Sequence, residues 1–183
     1  MRLIHFKFLA ITCLLMISAN VFGQVDTLVT QDNVDRDSIK YVVPETKYID
    51  LSVLTPPEGF VVAEEFNGYI HYQAGAAIIL TLIEHVNYIK LSEGMTEEFF
   101  KENGLTKISE NAVALDNGTK GIKYKFSFEI DEMEFVRYMV YVGDLNKTLW
   151  LNITYPKQLE ELVEGEILKS LQTINLNTTR DEE

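Results

Sequence analysis

Hydrophobic and polar residues alternate strictly along one central segment of the chain, residues 122–130. Apolar side chains stand at every second position of this segment: Ile122, Tyr124, Phe126, Phe128 and Ile130. A period of two is typical of a β-strand with one apolar face. A tight turn at Asp131-Glu132 would pair Phe128 with Phe135 and Phe126 with Arg137. The segment therefore predicts the first strand of a long β-hairpin.

A third long strand is predicted after a second turn near residues 144–146. Apolar residues resume their alternation there, at Leu149, Leu151 and Ile153. We expect these three side chains to join the apolar face of the hairpin. This register places Trp150 opposite Val140, on the other face of the sheet. It leaves Arg137 on the apolar face, between Phe126 and the third strand.

Shorter elements are predicted before this meander. Residues 49–54 and 60–63 indicate extended chain on either side of a proline-rich turn. Residues 69–88 predict a hairpin that turns at Gly75. In this hairpin, residues whose numbers sum to about 149 would lie opposite each other. Its register would put His85 opposite Glu64.

Two helices are predicted, one before and one after the three long strands along the chain. Thr96 is a suitable N-cap, Met95 and Phe99 would face inward, and Asn103-Gly104 would end the first helix. After Pro156, apolar residues recur at helical spacing and predict a cover for the sheet: Leu159, Leu162, Val163 and Ile167. Residues 171–176 predict a final strand. The fold class is therefore α+β, with a mainly antiparallel β-sheet flanked by helices.

The order of these elements resembles the PsbP-like family. The resemblance covers about residues 49–176 and includes the Thr55-Pro56-Pro57-Glu58-Gly59-Phe60 turn and the Ser170–Asn175 ending. It implies an α/β/α sandwich with a non-catalytic, accessory or binding role. No binding residue of that family matches a position of this chain.

The N-terminal segment predicts export. Residues 1–23 combine a basic start with a short apolar run and a small-residue cleavage site, which is typical of a secretory signal peptide. We expect residues 24–45 to be a flexible polar leader, residues 46–176 a single domain, and residues 177–183 an acidic tail. The location would be the periplasm or the medium around a bacterium.

Composition limits the partners that this protein would have. Removal of Arg2 and Lys7 with the signal peptide from 16 basic residues leaves 14, against 28 acidic ones. Such an acidic chain repels nucleic acids and anionic lipids, so we expect neither as a partner. No later stretch reaches the roughly 20 apolar residues that span a bilayer, so we expect no membrane insertion after cleavage. The single cysteine, Cys13, lies in the signal peptide. The exported chain therefore has no disulfide and no cysteine ligand for a metal.

Few residues offer catalytic chemistry. Only His71 and His85 follow the signal peptide, and the predicted hairpin separates them by about 24 Å. Neither pairs with a second histidine, and no short catalytic or phosphate-binding motif occurs. The acidic cluster at Asp32, Asp35 and Asp37 lacks the spacing of a calcium loop. We predict no catalytic residue, no metal site and no cofactor.

Two residues are candidates for binding. A guanidinium on an apolar face needs a partner, which would be a helix glutamate (Glu97, Glu98 or Glu164) or the carboxylate or phosphate of a ligand. Trp150 would be either part of the core or an exposed aromatic patch for a protein or sugar.

The sequence thus predicts an exported soluble accessory or binding module that is not an enzyme. Its partner would be another exported or envelope protein. A small hydrolase or lyase with an unrecognised site and a weak divalent-cation binder remain alternatives, the latter because of the acidic surface.

Overall fold

A seven-stranded antiparallel sheet forms the centre of the computed structural model, which describes residues 49–178. The strand order across the sheet is β1-β2-β3-β7-β6-β5-β4. The strands are β1 (Val61–Val62), β2 (Gly68–His71), β3 (Ala76–Glu84), β4 (Thr106–Ala114), β5 (Lys120–Ile130), β6 (Met133–Gly143) and β7 (Lys147–Pro156). The predicted signal peptide, the leader and most of the acidic tail lie outside the described residues, so those predictions stay untested.

Helices lie on both faces of the sheet and confirm the α+β class. The α-helices are α1 (Tyr88–Ser92), α2 (Glu97–Glu102) and α3 (Glu160–Gln172). Short 3-10 turns occupy Leu51–Val53, Lys157–Leu159 and Leu176–Thr178. Among the helices of residues 49–178, none combines the length and the hydrophobicity that crossing a membrane requires.

The β5–β6 hairpin has the register that the alternation predicts. Phe128 lies opposite Phe135, and Phe126 lies opposite Arg137. Asp131 and Glu132 form the turn with φ angles of 49° and 65°, the left-handed conformation that a two-residue hairpin turn requires. The local pattern and the turn chemistry therefore agree, and the prediction is confirmed.

The β6–β7 register differs from the prediction by one residue. Asp144 follows the end of β6 but pairs with Lys147 across the hairpin, because its N–H donates to the Lys147 carbonyl at 2.9 Å. Its carboxylate also accepts the N–H groups of Asn146 and Lys147 at 2.7 and 2.9 Å. Only Leu145 and Asn146 remain in the loop. A one-residue shift reverses the face of every side chain in the strand, so Leu149 and its alternating partners point away from Phe126.

Several of the shorter predicted elements are wrong. Residues 49–54 form no strand: Leu51–Val53 are a 3-10 turn, which the Asp50 carboxylate caps by accepting the Ser52 N–H at 2.9 Å. Residues 171–176 form no strand, since α3 continues to Gln172. In the β2–β3 ladder Tyr69 lies opposite Ile78, so the numbers of paired residues sum to 147 and the predicted register, with a sum of about 149, is wrong.

One strand and one helix have no counterpart in the prediction. Strand β4 is an edge strand that pairs only with β5 in the described sheet and is mostly exposed. Its sequence is correspondingly polar and lacks a clear apolar alternation. Helix α1 is only five residues long and has no fully buried residue. Neither element carries the apolar period that a sequence pattern can detect.

Strands β6 and β7 are buried on both faces. One face packs against α3 through a large apolar cluster that includes Val136, Val140, Leu151, Ile153 and Ile167. The opposite face carries Phe126, Arg137 and Trp150, and helices α1 and α2 contact its strands. This second face holds both candidate binding residues.

Helix α2 begins and ends as predicted, but its inward residue is Phe100. The Thr96 hydroxyl caps the helix by accepting the Phe99 N–H at 3.2 Å. The Phe100 ring is 2% exposed and lies 4.9 Å from the Phe126 ring, whereas Phe99 is only half-buried.

Phe100→Ala tests which phenylalanine holds α2 on the sheet. We expect a loss of about 3–5 kcal/mol in the free energy of unfolding, because the substitution leaves a cavity against Phe126. The matched control Phe99→Ala should cost about 1 kcal/mol. Urea denaturation of both variants measures the difference, and equal losses would contradict this packing.

Candidate functional site

Arg137 lies near the middle of a row of residues that crosses the sheet. The row runs Phe126, Arg137, Thr154, Ala77 and Ile70, each directly opposite the next on the neighbouring strand. Arg137 is 0% exposed, and the other four side chains of the row are also buried. The row continues beyond Phe126 to Lys107 at the edge of the sheet, so Arg137 is the one cation among the buried side chains of this row.

The guanidinium of Arg137 is only partly satisfied by its neighbours. Its Nε donates to the Thr154 hydroxyl at 3.3 Å, and its central carbon lies 4.5 Å from the centre of the Phe128 ring. Within residues 49–178, neither Nη1 nor Nη2 has a hydrogen-bond acceptor. Burial lowers the pKa of Arg137 to about 10, so the group stays protonated at neutral pH. A buried cation with two unused donors is costly for a folded protein.

A second unsatisfied polar atom lies on the same face. Asn152 is on β7, two residues from Thr154, and is 4% exposed. In the described part of the chain its Oδ1 has no donor. Asn152 and Thr154 thus form a short polar strip beside Arg137, and the Phe128–Phe135 ring pair, with centres 5.6 Å apart, lies towards the β5–β6 turn. Such a strip can bind a polar group but contains no strong acid or base.

The glutamates proposed as structural partners of Arg137 are engaged or exposed elsewhere. Glu97 pairs with Lys107 at 2.8 Å, and Glu164 pairs with Lys125 at 2.5 Å on the opposite face of the sheet. Glu98 is exposed to solvent. The predicted ion pair between Arg137 and a helix glutamate is therefore wrong for these three residues.

Trp150 lies on the same face as Arg137, contrary to the predicted register. It is opposite Tyr141 and not Val140, and its ring stacks on Tyr141 with centres 6.1 Å apart. Only 4% of Trp150 is exposed, which matches the core alternative and not an exposed patch. Four residues of β6 separate the Arg137 and Tyr141 positions, about 13 Å along the strand. A binding role for Trp150 stays a prediction.

The two histidines lie far apart, and the His71 side chain serves local structure. The His71 Nδ1 accepts the Ala74 N–H at 3.2 Å, and its ring lies edge-on to Phe60 at 5.4 Å. His71 lies opposite Ala76 at the start of β3, and His85 directly follows the end of β3. Nine residues separate Ala76 from His85, which corresponds to about 30 Å along the strand. The β2–β3 ladder ends at Gly68, so the predicted pairing of His85 with Glu64 is wrong.

Residues 49–178 contain no cluster of three or more His, Cys, Asp or Glu side chains that could hold a metal ion. The acidic cluster at residues 32–37 lies outside this range.

An ion cluster on the α3 face was missed by sequence reasoning. Lys125 pairs with Glu160 at 2.7 Å and with Glu164 at 2.5 Å, and the Tyr138 hydroxyl donates to Glu164. Tyr155 donates to the same Glu164 oxygen at 3.4 Å. The only available signal was the spacing of the two glutamates, which puts them on one face of α3. The cluster fastens α3 to β5, β6 and β7.

The cluster shifts the pKa values of its members. Burial opposes the charge on Lys125, but hydrogen bonds to Glu160 and Glu164 outweigh it and raise the pKa of Lys125. Burial would raise the pKa of both carboxyls, but hydrogen bonds from Lys125 outweigh it and lower both pKa values. Burial, with the bond to Glu164, raises the pKa of Tyr138 to about 12.

Comparison with known proteins identifies the fold and no family. No family model and no curated protein sequence matches the chain. Among solved structures, the chain is similar to LpqN, a Mycobacterium tuberculosis protein involved in cell envelope biogenesis. The TM-score is 0.50 and the identity 13%, over 66% of this chain and 78% of LpqN.

A second similar structure is PA94, a protein of unknown function from Pseudomonas aeruginosa described as a candidate regulator. Its TM-score is 0.46 and its identity 9%, over 55% of this chain and 72% of PA94. The chain thus shares its fold with LpqN, and membership of the PsbP-like family stays a prediction.

Arg137→Met tests whether the guanidinium has a partner within the chain. We expect the free energy of unfolding to stay the same or to rise by up to about 4 kcal/mol, because an apolar side chain replaces a desolvated charge. Arg137→Lys keeps the charge and should give no gain. Urea denaturation of the purified protein measures both. A loss of about 3–5 kcal/mol in the methionine variant would reveal a buried ion pair and contradict this description.

Lys125→Met tests the ion cluster through pH. The lowered pKa values of Glu160 and Glu164 stabilise the fold above about pH 4.3, the unfolded value, and this contribution disappears as pH falls through the folded values. We expect Lys125→Met to lose about 1.5–3 kcal/mol at pH 7 and to show a shallower acid-side fall in stability.

The control for Lys125→Met is Lys169→Met, which removes an exposed pair with Glu166. It should change stability by less than about 0.5 kcal/mol and leave the pH profile intact. Denaturation between pH 3 and pH 7 compares the variants. Parallel profiles for Lys125→Met and wild type would show that the cluster does not set the pH dependence.

Proposed function

We propose that this chain is an exported, non-catalytic accessory or binding module of the cell envelope. It binds an anionic group at Arg137 and acts beside another exported or envelope protein. The single observation that carries the proposal is the fully buried guanidinium whose Nη1 and Nη2 find no acceptor within residues 49–178. An anion from outside these residues would satisfy both donors.

The chemistry around Arg137 supports binding over catalysis. Its neighbours are the Thr154 hydroxyl, the Asn152 amide and aromatic rings, which recognise a ligand by hydrogen bonds and shape. General acid-base catalysis uses a group that exchanges a proton near neutral pH. Arginine stays protonated there, so its role is to hold a negative charge.

Two further observations support the location. LpqN, which shares the fold at a TM-score of 0.50, is involved in cell envelope biogenesis. Residues 1–23 have the composition of a signal peptide. The excess of acidic residues disfavours nucleic acids and anionic lipid surfaces as partners, and it leaves protein or small-molecule partners.

Purification of the tagged protein from the envelope fraction of its own host tests the proposal. After in-cell crosslinking, we expect mass spectrometry to identify a reproducible exported or envelope protein. From uncrosslinked protein, we expect it to identify an anionic species that the wild type retains and Arg137→Met loses, because the variant lacks the cation. Lys169→Met serves as the matched control and should behave as the wild type.

Equal retention by wild type and Arg137→Met would contradict a binding role for Arg137. Failure to crosslink any exported or envelope protein would contradict the accessory role.

A further inference from the structure

We infer that the Arg137 site takes a monocarboxylate with an apolar body, such as a medium-chain aliphatic acid. The inference rests on the proposed binding function and names the ligand class for the same site. It depends on three features of the site: its single charge, the donors that remain unused, and the apolar row in which the guanidinium lies.

The charge of the site matches one negative charge. Arg137 carries one positive charge, and none of the ion pairs formed within residues 49–178 includes it. A carboxylate carries one negative charge and forms a neutral pair with the guanidinium. A phosphate monoester carries between one and a half and two negative charges at neutral pH and would leave a buried charge uncompensated.

The unused donors of Arg137 match a carboxylate. Its Nε is already committed to the Thr154 hydroxyl, which leaves the Nη1 and Nη2 amino groups. A planar guanidinium holds these two nitrogens at the spacing of the two oxygens of a carboxylate, so both bonds can form at once. The Thr154 bond fixes the plane of the fork before a ligand arrives, which reduces the entropy that binding costs.

The surroundings of Arg137 match an apolar body. Phe126 lies on one side of Arg137 in the cross-sheet row, and beyond Thr154 the row continues with Ala77 and Ile70. Three strand spacings, about 14 Å, separate the Arg137 and Ile70 positions. The Phe128 ring covers the guanidinium itself. A ligand that neutralises Arg137 therefore meets mostly apolar side chains beyond its carboxylate.

Isothermal titration of the exported protein with octanoate tests the ligand class. The comparison probes are acetate, which lacks the apolar body, octan-1-ol, which lacks the charge, and octyl phosphate, which carries a larger charge. We expect octanoate to bind at least ten times more tightly than each of the three. We also expect it to raise the melting temperature of the protein.

Three variants locate the binding. Arg137→Met should weaken octanoate binding at least tenfold. Arg137→Lys should bind octanoate more tightly than Arg137→Met but less tightly than the wild type, because an ammonium group lacks the two parallel donors of a guanidinium. Thr154→Val removes the acceptor that orients the guanidinium and should weaken binding several-fold. It keeps the shape of the side chain, so it serves as a test even where Arg137→Met disturbs folding. Lys169→Met should bind as the wild type does.

Several outcomes would overturn the inference. Tighter binding of octyl phosphate would identify a more highly charged ligand, and equal binding of octan-1-ol would identify an apolar cavity that ignores charge. Octanoate binding that appears only after Asp32, Asp35 and Asp37 are replaced by Asn would identify the chain's own acidic segment as the occupant of Arg137.

The failure of this inference can be distinguished from failure of the proposed function. Where no probe binds but the host-purified protein still retains an Arg137-dependent species, only the ligand class is wrong. Where neither octanoate nor any Arg137-dependent species binds, both proposals are wrong.

Discussion

The register between β6 and β7 is the constraint on which the rest of the structure depends. A loop of only two residues, closed by Asp144, sets that register. It places Thr154 opposite Arg137 and sends Leu149, Leu151 and Ile153 to the α3 face. Because side chains alternate along a strand, one residue more in the loop would bury different side chains on both faces. The local capping of one turn thus decides which side chains of β7 lie beside the buried cation.

The cations Lys125 and Arg137, on opposite faces of the sheet, differ in how completely they are paired. On the α3 face, Lys125 meets two carboxylates and two tyrosines, and this ion cluster joins a helix to three strands. On the opposite face, Arg137 has one neutral acceptor and an aromatic ring within the described residues. The first arrangement is complete and contributes to the fold. The second is incomplete within the described residues, because Nη1 and Nη2 of Arg137 have no acceptor there, and our proposal of a binding role rests on this.

The sequence predicts those parts of the fold whose signals are local. Alternation from Ile122 to Ile130 and the Asp131-Glu132 turn suffice for the β5–β6 register, and Thr96 suffices for the start of α2. The polar edge strand β4 is missed because edge strands bury little apolar surface. Arg137 is identified as a candidate from its place in the alternation. Its neighbours Thr154 and Asn152 are not, since they depend on a turn whose length the apolar pattern does not reveal.

A crystal structure of the protein purified from its host envelope tests the central claim most directly. The account predicts electron density for a carboxylate from outside the chain about 2.7–2.9 Å from Nη1 and Nη2 of Arg137, with apolar density continuing beside Ala77 and Ile70. An aspartate or glutamate of the chain itself at that position, bonded to both nitrogens, would contradict the account and make Arg137 a structural residue.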